Sequence, residues 1–280
     1  MTSEALILPS DFPRDVQAFA CDLDRTLIWK DAELRPRTLA AIAAARAADI
    51  HVILVTGRMF QSVRPYARTA GIDDPVVCYQ GAVVADPVSG RFLRHVPIPL
   101  EPAREAIAAV EAEGYPLNCY VGDELYVAEH TAASEAYASF QHLDVHAVGD
   151  LLGWLKEPPT KLVAVGDPIE LDGLEEQMRA HFGDRMFISK SLPYFLEFAS
   201  PNVTKGSGLA FLAERLGFEA ADTVAFGDGE NDVELLEWAD YGVAVQNAHE
   251  RVLAVADFVC PPCDEEGVAQ VFEAYLDSLA

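Results

Sequence analysis

Short, unbroken apolar runs, each closed by Gly or Asp and followed by an Ala- and Leu-rich stretch of helical length, recur at both ends of this sequence. Toward the N-terminus, Val16–Cys21, His51–Thr56 and Val76–Tyr79 read as strands, with Pro36–Ala48 and Met59–Ala70 as the helices between them. Toward the C-terminus, Thr223–Phe226 and Tyr241–Val245 read as strands among helices at Gly206–Leu216, Asp232–Trp238 and Gly267–Leu279. A strand that is apolar at every position, not at alternate ones, is covered on both faces, as in a parallel sheet with helices on either side. The outer segments therefore predict one α/β domain, a doubly wound, Rossmann-like parallel sheet.

The middle of the chain follows another pattern. Asp86-Pro-Val-Ser-Gly90 sits between apolar Val83–Ala85 and Phe92–Val96, and Gly122-Asp-Glu sits between Pro116–Val121 and Leu125–Ala128, both hairpin signals. Helical stretches at Pro102–Glu113 and Ile169–Phe182 alternate with strands at Lys161–Val165 and Met186–Ser189. The expectation is a core made of residues 1–85 and 191–280, interrupted by an inserted α+β domain at 86–190.

Composition narrows the partners. With 45 Asp+Glu against 20 Lys+Arg, the formal charge is −25, which repels nucleic acid and anionic membrane alike. Hydrophobic residues make up 51% of the chain, enough for a real core and far from an acidic disordered tail. No apolar run is long enough to span a bilayer, and the N-terminal segment lacks the basic start of a leader. The five cysteines are too few for a disulfide framework. Together these predict a cytoplasmic protein. Cys260-Pro-Pro-Cys263 lacks a second ligand pair nearby and reads as a turn after a buried strand before it reads as a zinc or redox site.

Chemistry-bearing residues gather where the predicted strands end, which is where open α/β sheets hold their ligands. Asp22-Leu-Asp24-Arg25-Thr26 follows the first strand directly, and Gly227-Asp228-Gly-Glu-Asn231-Asp232 follows Thr223–Phe226. Each cluster alone is also what a turn and a helix cap look like. Caps do not explain two acidic clusters at strand ends of one domain, since like charges so close need a cation or a proton. Thr56-Gly57-Arg58 ends the second strand and suits phosphate oxygens, or a plain strand-to-helix turn. Lys205 opens a helix, an unfavourable place for a cation unless anions surround it.

In this order, the four elements resemble the haloacid dehalogenase superfamily of aspartate-nucleophile phosphatases. The large insertion between Thr56 and Lys205 resembles the Cof-type branch, whose cap is of the α/β class C2 (IIB) kind. Gly81-Ala82, Gln246-Asn247-Ala248 and Glu265-Glu266-Gly267-Val268-Ala269 are similar to the same branch. The resemblance implies Asp22 as nucleophile, Asp24 as general acid and base, Thr56 and Gly57 on phosphate, and Lys205 as both catalytic and phosphate-binding. It implies one Mg²⁺ held by Asp22, by Asp24 through its backbone carbonyl, and by Asp228, with Asp232 on Lys205 or on a metal-bound water. Asn231 would position Lys205 or substrate.

The implied activity is hydrolysis of a small phosphate ester, a sugar phosphate first, through an aspartyl-phosphate. A phosphomutase shares such a site. A catalytically inactive binder of phosphoryl ligands is the other alternative, because Arg25 stands where the family usually has Gly. That side chain is expected at the mouth of the site, on substrate, on the inserted domain or along the surface, or with an altered local backbone. A dehalogenase would not need Asp24. A phospho-accepting receiver domain has neither the insertion nor this order of motifs. The specificity of such an enzyme is expected to lie in the inserted domain.

Overall fold

The structure is a computed structural model that describes residues 6–141 and 143–279; residues 1–5, on which part of the leader reading falls, lie outside it. The first half of the chain supplies β1 (Ala18–Cys21), α1 (Pro36–Ala47), β2 (His51–Leu54), α2 (Phe60–Thr69), β3 (Val76–Cys78), β4 (Val83–Ala85) and β5 (Phe92–His95). Next come α3 (Leu100–Ala112), β6 (Leu117–Val121), β7 (Glu124–Val127), α4 (Ala132–Gln141), β8 (Val145–Ala147), α5 (Leu151–Trp154), β9 (Lys161–Val165), α6 (Pro168–Phe182), β10 (Phe187–Leu192) and β11 (Phe195–Ala199). The last part runs α7 (Lys205–Leu216), β12 (Thr223–Gly227), α8 (Val233–Trp238), β13 (Tyr241–Val245), α9 (Glu250–Val255), β14 (Phe258–Cys260) and α10 (Gly267–Ser278).

Two compact units result. One comprises the chain through Gly57, Val63–Leu93 and everything from Thr204 onward; the other comprises Arg58–Ser62 and Arg94–Val203. The division falls later in the sequence than positions 86 and 190, for reasons of strand pairing. The small sheet β3-β4-β5 carries the first unit past position 86 into the start of β5, where the boundary after Leu93 falls, and β11, placed in the core by the sequence, lies between β10 and β9 in the sheet of the second. Glu197 interrupts the apolar run of β11, and its partner Lys161 on β9, 3.3 Å away, is not a sequence neighbour.

In the first unit a five-stranded sheet has the order β14-β13-β12-β1-β2, with every neighbouring pair parallel. The unbroken apolar runs are explained by its two covered faces. Ala18 and Ala20 of β1 turn toward Leu209, Leu212 and Leu235, in a cluster drawn from α7 and α8. Phe19, between them in sequence, stacks on Phe272 of α10 with ring centroids 4.1 Å apart, and Phe226 of β12 meets the same ring at 5.5 Å. Burial of one such aromatic ring contributes about 2–3 kcal/mol, so α10 is fastened to this face by its Phe and by Tyr275, whose hydroxyl accepts a hydrogen bond from Val16 N–H at 2.8 Å.

The second unit is built on a six-stranded sheet, β10-β11-β9-β6-β7-β8. Its pairs are antiparallel except β7 with β8. Alternation is visible here. Cys119, Leu162, Ala164, Leu196 and Phe198 share a core with Ile107, Val110, Leu171, Met178 and Phe182 of α3 and α6, while Tyr120, Lys161 and Glu197 alternate with them. Among the described residues no helix is long and apolar enough to cross a membrane.

Candidate active site

Strand register brings the acids together. Cys21 of β1 is level with Phe226 of β12 on one side and with Leu54 of β2 on the other. One residue further on, Asp22 N–H still donates to Phe226 O at 2.9 Å, and Val55 N–H to Cys21 O at 2.8 Å. The chains then part, and Asp22, Asp228 and Thr56 emerge at one sheet edge as neighbours although far apart in sequence.

Lys205 is brought in by the start of α7. Thr204 and Ser207 form a reciprocal capping box there, Thr204 Oγ1 accepting from Ser207 N–H at 3.1 Å and Ser207 Oγ accepting from Thr204 N–H at 3.0 Å. Gly206 permits the close approach to α8, since a Cβ at that position would lie 2.3 Å from Glu234 O. The Lys205 ammonium is thereby set 2.6 Å from Asp22 Oδ1 and 2.5 Å from Asp232 Oδ1, with 1% of the lysine exposed. Asp232 uses its other oxygen to close the turn after β12, accepting from Asp228 N–H at 3.0 Å and Gly229 N–H at 2.9 Å.

Oxygens of Asp22, Asp228 and Asp232 lie within 4.8 Å of one another, and all three residues are buried. Asp24 is half-buried and is not one of this triad. The charges do not balance. Burial, and then the carboxylates of Asp232, Asp228 and Asp24, push the Asp22 carboxyl well above the usual range against the pull of Lys205. Asp228 is pushed up to about 7, by burial first and then by Asp232; Arg25, Lys205 and a hydrogen bond from Thr26 work the other way. Burial opposes the charge on Lys205, but Asp22 and Asp232 outweigh it and hold its pKa above the ordinary lysine value.

Thr56 is buried, and its backbone is already committed: its N–H donates to Val77 O at 2.8 Å and its carbonyl accepts from Gln80 N–H at 3.1 Å. Gly57 lies against the Gln80 amide so closely that a Cβ there would sit 2.5 Å from Gln80 Nε2. Asn231 reaches the same amide, donating to Gln80 Oε1 at 2.9 Å, and not Lys205. Gln80 thus links two of the motifs while itself in a left-handed backbone conformation, with φ of 59°. Sequence reading missed it. Its only signal is a polar residue directly after an apolar strand.

Arg25 is half-exposed, with its Nε 3.4 Å from Asp228 Oδ2. Its φ of 64° is the left-handed conformation that glycine adopts freely, which costs a side chain about 1 kcal/mol. Asn247, a second residue the sequence did not single out for this role, ties the loop down by donating to Arg25 O at 3.0 Å and accepting from Cys263 N–H at 2.8 Å. Cys260 and Cys263 are free and buried, and burial pushes both thiols up to about 12. Among the described residues they join no cluster of metal-ligating groups.

A family model described as haloacid dehalogenase-like hydrolase matches residues 19–272. The chain is 29% identical over 258 residues to the phosphoglycolate phosphatase of Archaeoglobus fulgidus, covering 92% of this chain and 96% of that protein. It is 27% identical over 270 residues to the pyridoxal phosphate phosphatase YbhA of Escherichia coli, covering 93% and 98%. The crystal structure of TM0651 from Thermotoga maritima matches with a TM-score of 0.81 at 30% identity, over 92% of this chain and 97% of that one. As the four motifs imply, the chain belongs to the haloacid dehalogenase-like hydrolases and is an enzyme of the phosphatase class.

Proposed function

We propose that this protein is a Mg²⁺-dependent phosphomonoesterase that hydrolyses a small phosphorylated metabolite through an aspartyl-phosphate on Asp22. The observation that carries the reading is the buried triad of Asp22, Asp228 and Asp232 served by a single buried ammonium, Lys205. A group of hard carboxylate oxygens with too little positive charge, raised pKa values included, fits a small divalent cation held by oxygen ligands. Asp22, Asp228 and the Asp24 backbone carbonyl would hold it; Asp232, with one oxygen on Lys205 and the other on two N–H groups, orients the lysine and the turn. When bound, the ion supplies Lewis-acid charge to the phosphoryl oxygens.

The protein groups divide the remaining work. Asp22 attacks phosphorus, forming an acyl phosphate as the ester P–O bond breaks. Asp24 gives its proton to the departing alkoxide, then takes one from the water that attacks phosphorus and releases Asp22. Lys205 holds Asp22 in line and lends positive charge to the phosphoryl group, and Thr56 and Gly57 complete the phosphate cradle. Gln80, bridged to Asn231, keeps that cradle against the turn after β12.

The two relatives named above are phosphatases of small phosphorylated metabolites, phosphoglycolate and pyridoxal phosphate; from the family resemblance a sugar phosphate is the first candidate, and a phosphorylated cofactor is the second. Five free, buried cysteines suit a reducing cytoplasm. The test is release of inorganic phosphate from a panel of phosphorylated metabolites with and without Mg²⁺, with Asp22→Asn as control. Turnover that requires both Mg²⁺ and Asp22 supports the reading, and the ranking of kcat/KM names the substrate. Transfer of phosphate within the substrate without net release would instead mark a phosphomutase.

A further inference from the structure

The residue that departs from the family pattern has a second feature. Arg25 is held in its left-handed conformation from several sides: its N–H donates to Ile28 O at 2.7 Å, its carbonyl accepts from Asn247, and its Nη2 donates to Asn247 O at 3.4 Å. These contacts fix the root of the side chain and leave the guanidinium beside Asp228 Oδ2. The other Asp228 oxygen, Oδ1, accepts from Thr26 Oγ1 at 3.4 Å. One carboxylate of the acid triad therefore already has a cation, one that is permanently charged and cannot lose its proton.

We infer that Arg25 is a built-in counter-ion of the metal site, which holds Asp228 in the metal-free enzyme and competes with the divalent cation for it. This inference rests on the metal reading proposed above. Its physical basis is that two cations sharing one carboxylate repel each other, so each lowers the other's hold by the same factor. A glycine at this position would supply the backbone conformation with no strain and no charge. The arginine accepts that strain and brings a charge to the mouth of an over-acidic site. The consequence is a metal site that stays ordered when empty and binds its ion more weakly than its ligand set alone would.

The experiment is calorimetric titration of Mg²⁺ into chelator-stripped wild-type protein, Arg25→Gln and Arg25→Lys, with Asp228→Asn as baseline, at low and high ionic strength. Arg25→Gln keeps a polar group at the ε position that faces Asp228 and the same backbone, and removes the charge together with the outer part of the guanidinium. It is expected to bind Mg²⁺ about three- to fivefold more tightly than wild type, the size of a half-exposed ion pair. Arg25→Lys is expected to restore the wild-type affinity to within about twofold, and the gap between Gln and Arg to close at high salt, as for any screened pair. The metal-free melting temperature of Arg25→Gln is expected to fall, while that of Arg25→Lys holds. Unchanged or weaker Mg²⁺ binding by Arg25→Gln overturns the inference and leaves the metal reading standing. Absence of Mg²⁺ binding in every protein, wild type included, overturns the metal reading and this inference with it.

Discussion

Each compact unit buries a lysine against carboxylates, and the two clusters are not alike. In the inserted unit Lys161 meets Glu197 at 3.3 Å, both about 5% exposed, with the Tyr120 ring 5.2 Å from the ammonium. In the core unit Lys205 meets Asp22 and Asp232, and Asp228 crowds the same space. A lysine met by a carboxylate can close a sheet face and stay there. A cation outnumbered by acids leaves a deficit that adds to burial, the larger cause, in raising the pKa of Asp22 and Asp228, the kind of perturbation that clusters at functional sites.

The largest effect expected from breaking this contrast is on turnover. Asp22→Asn should lower kcat by about 10³-fold or more, as loss of a nucleophile does. The metal-free protein should keep its melting temperature, because the substitution removes one of the excess charges. Full metal-dependent hydrolysis by this variant would sink the aspartyl-phosphate mechanism.

Lys205→Met comes next. It should lose most activity and destabilise the metal-free fold by about 3–5 kcal/mol, since it leaves buried carboxylates without their cation; denaturant titration with and without Mg²⁺ measures it. Added Mg²⁺ should recover part of that stability but not the rate.

In the inserted unit, Lys161→Met alone should cost a similar 3–5 kcal/mol, but the double change Lys161→Met with Glu197→Leu should return close to wild-type stability, about 1 kcal/mol or less away. No second substitution of that kind should rescue Lys205→Met for activity. A double variant in the inserted unit as unstable as the single one would show that this pair too carries more than packing.

The smallest effect belongs to a solvent-facing pair. Glu105 is held down to about 2 by hydrogen bonds from Arg185 first and then His181. A lowered carboxylate pKa stabilises above the unfolded value, about 4.3, and that stability is lost as pH falls toward 2. Glu105→Gln should therefore shift the melting temperature little at pH 7, because the pair is exposed and screened. It should flatten the loss of stability between pH 5 and 2 slightly, as seen in melts across that range; a large change at pH 7 would contradict this.

How far the sequence was readable follows from which forces are local. The apolar runs of β1, β2, β12 and β13 announce a doubly covered parallel sheet, and once those strands lie side by side Asp22 and Asp228 must meet at one edge. Lys205 was legible for a related reason, a cation at a helix start that only anions make tolerable. Gln80 was not, because its significance is a hydrogen bond to Asn231 and a glycine beneath it, neither of which leaves a periodic trace. β11 falls outside the expected insertion, which closes at residue 190 after the strand at Met186–Ser189, because the pairing of β11 with β9 is a long-range contact that leaves no local signal. The left-handed backbone of Arg25 was one of several outcomes the sequence allowed, and its contact with Asp228 across the sheet edge was beyond a linear reading.

The order of the central strands also bears on synthesis. β1 pairs with β2, which follows it closely, and with β12, which begins only at Thr223. A ribosome must therefore make the whole insertion, whose own sheet is contiguous in sequence, before the two halves of the acid cluster can meet. Closing so long a loop is slow relative to forming the local hairpins inside it. The nascent chain is thus expected to fold its inserted unit first and its catalytic edge last, so that a truncated product, however well folded in the middle, carries Asp22 and Asp24 but no phosphatase.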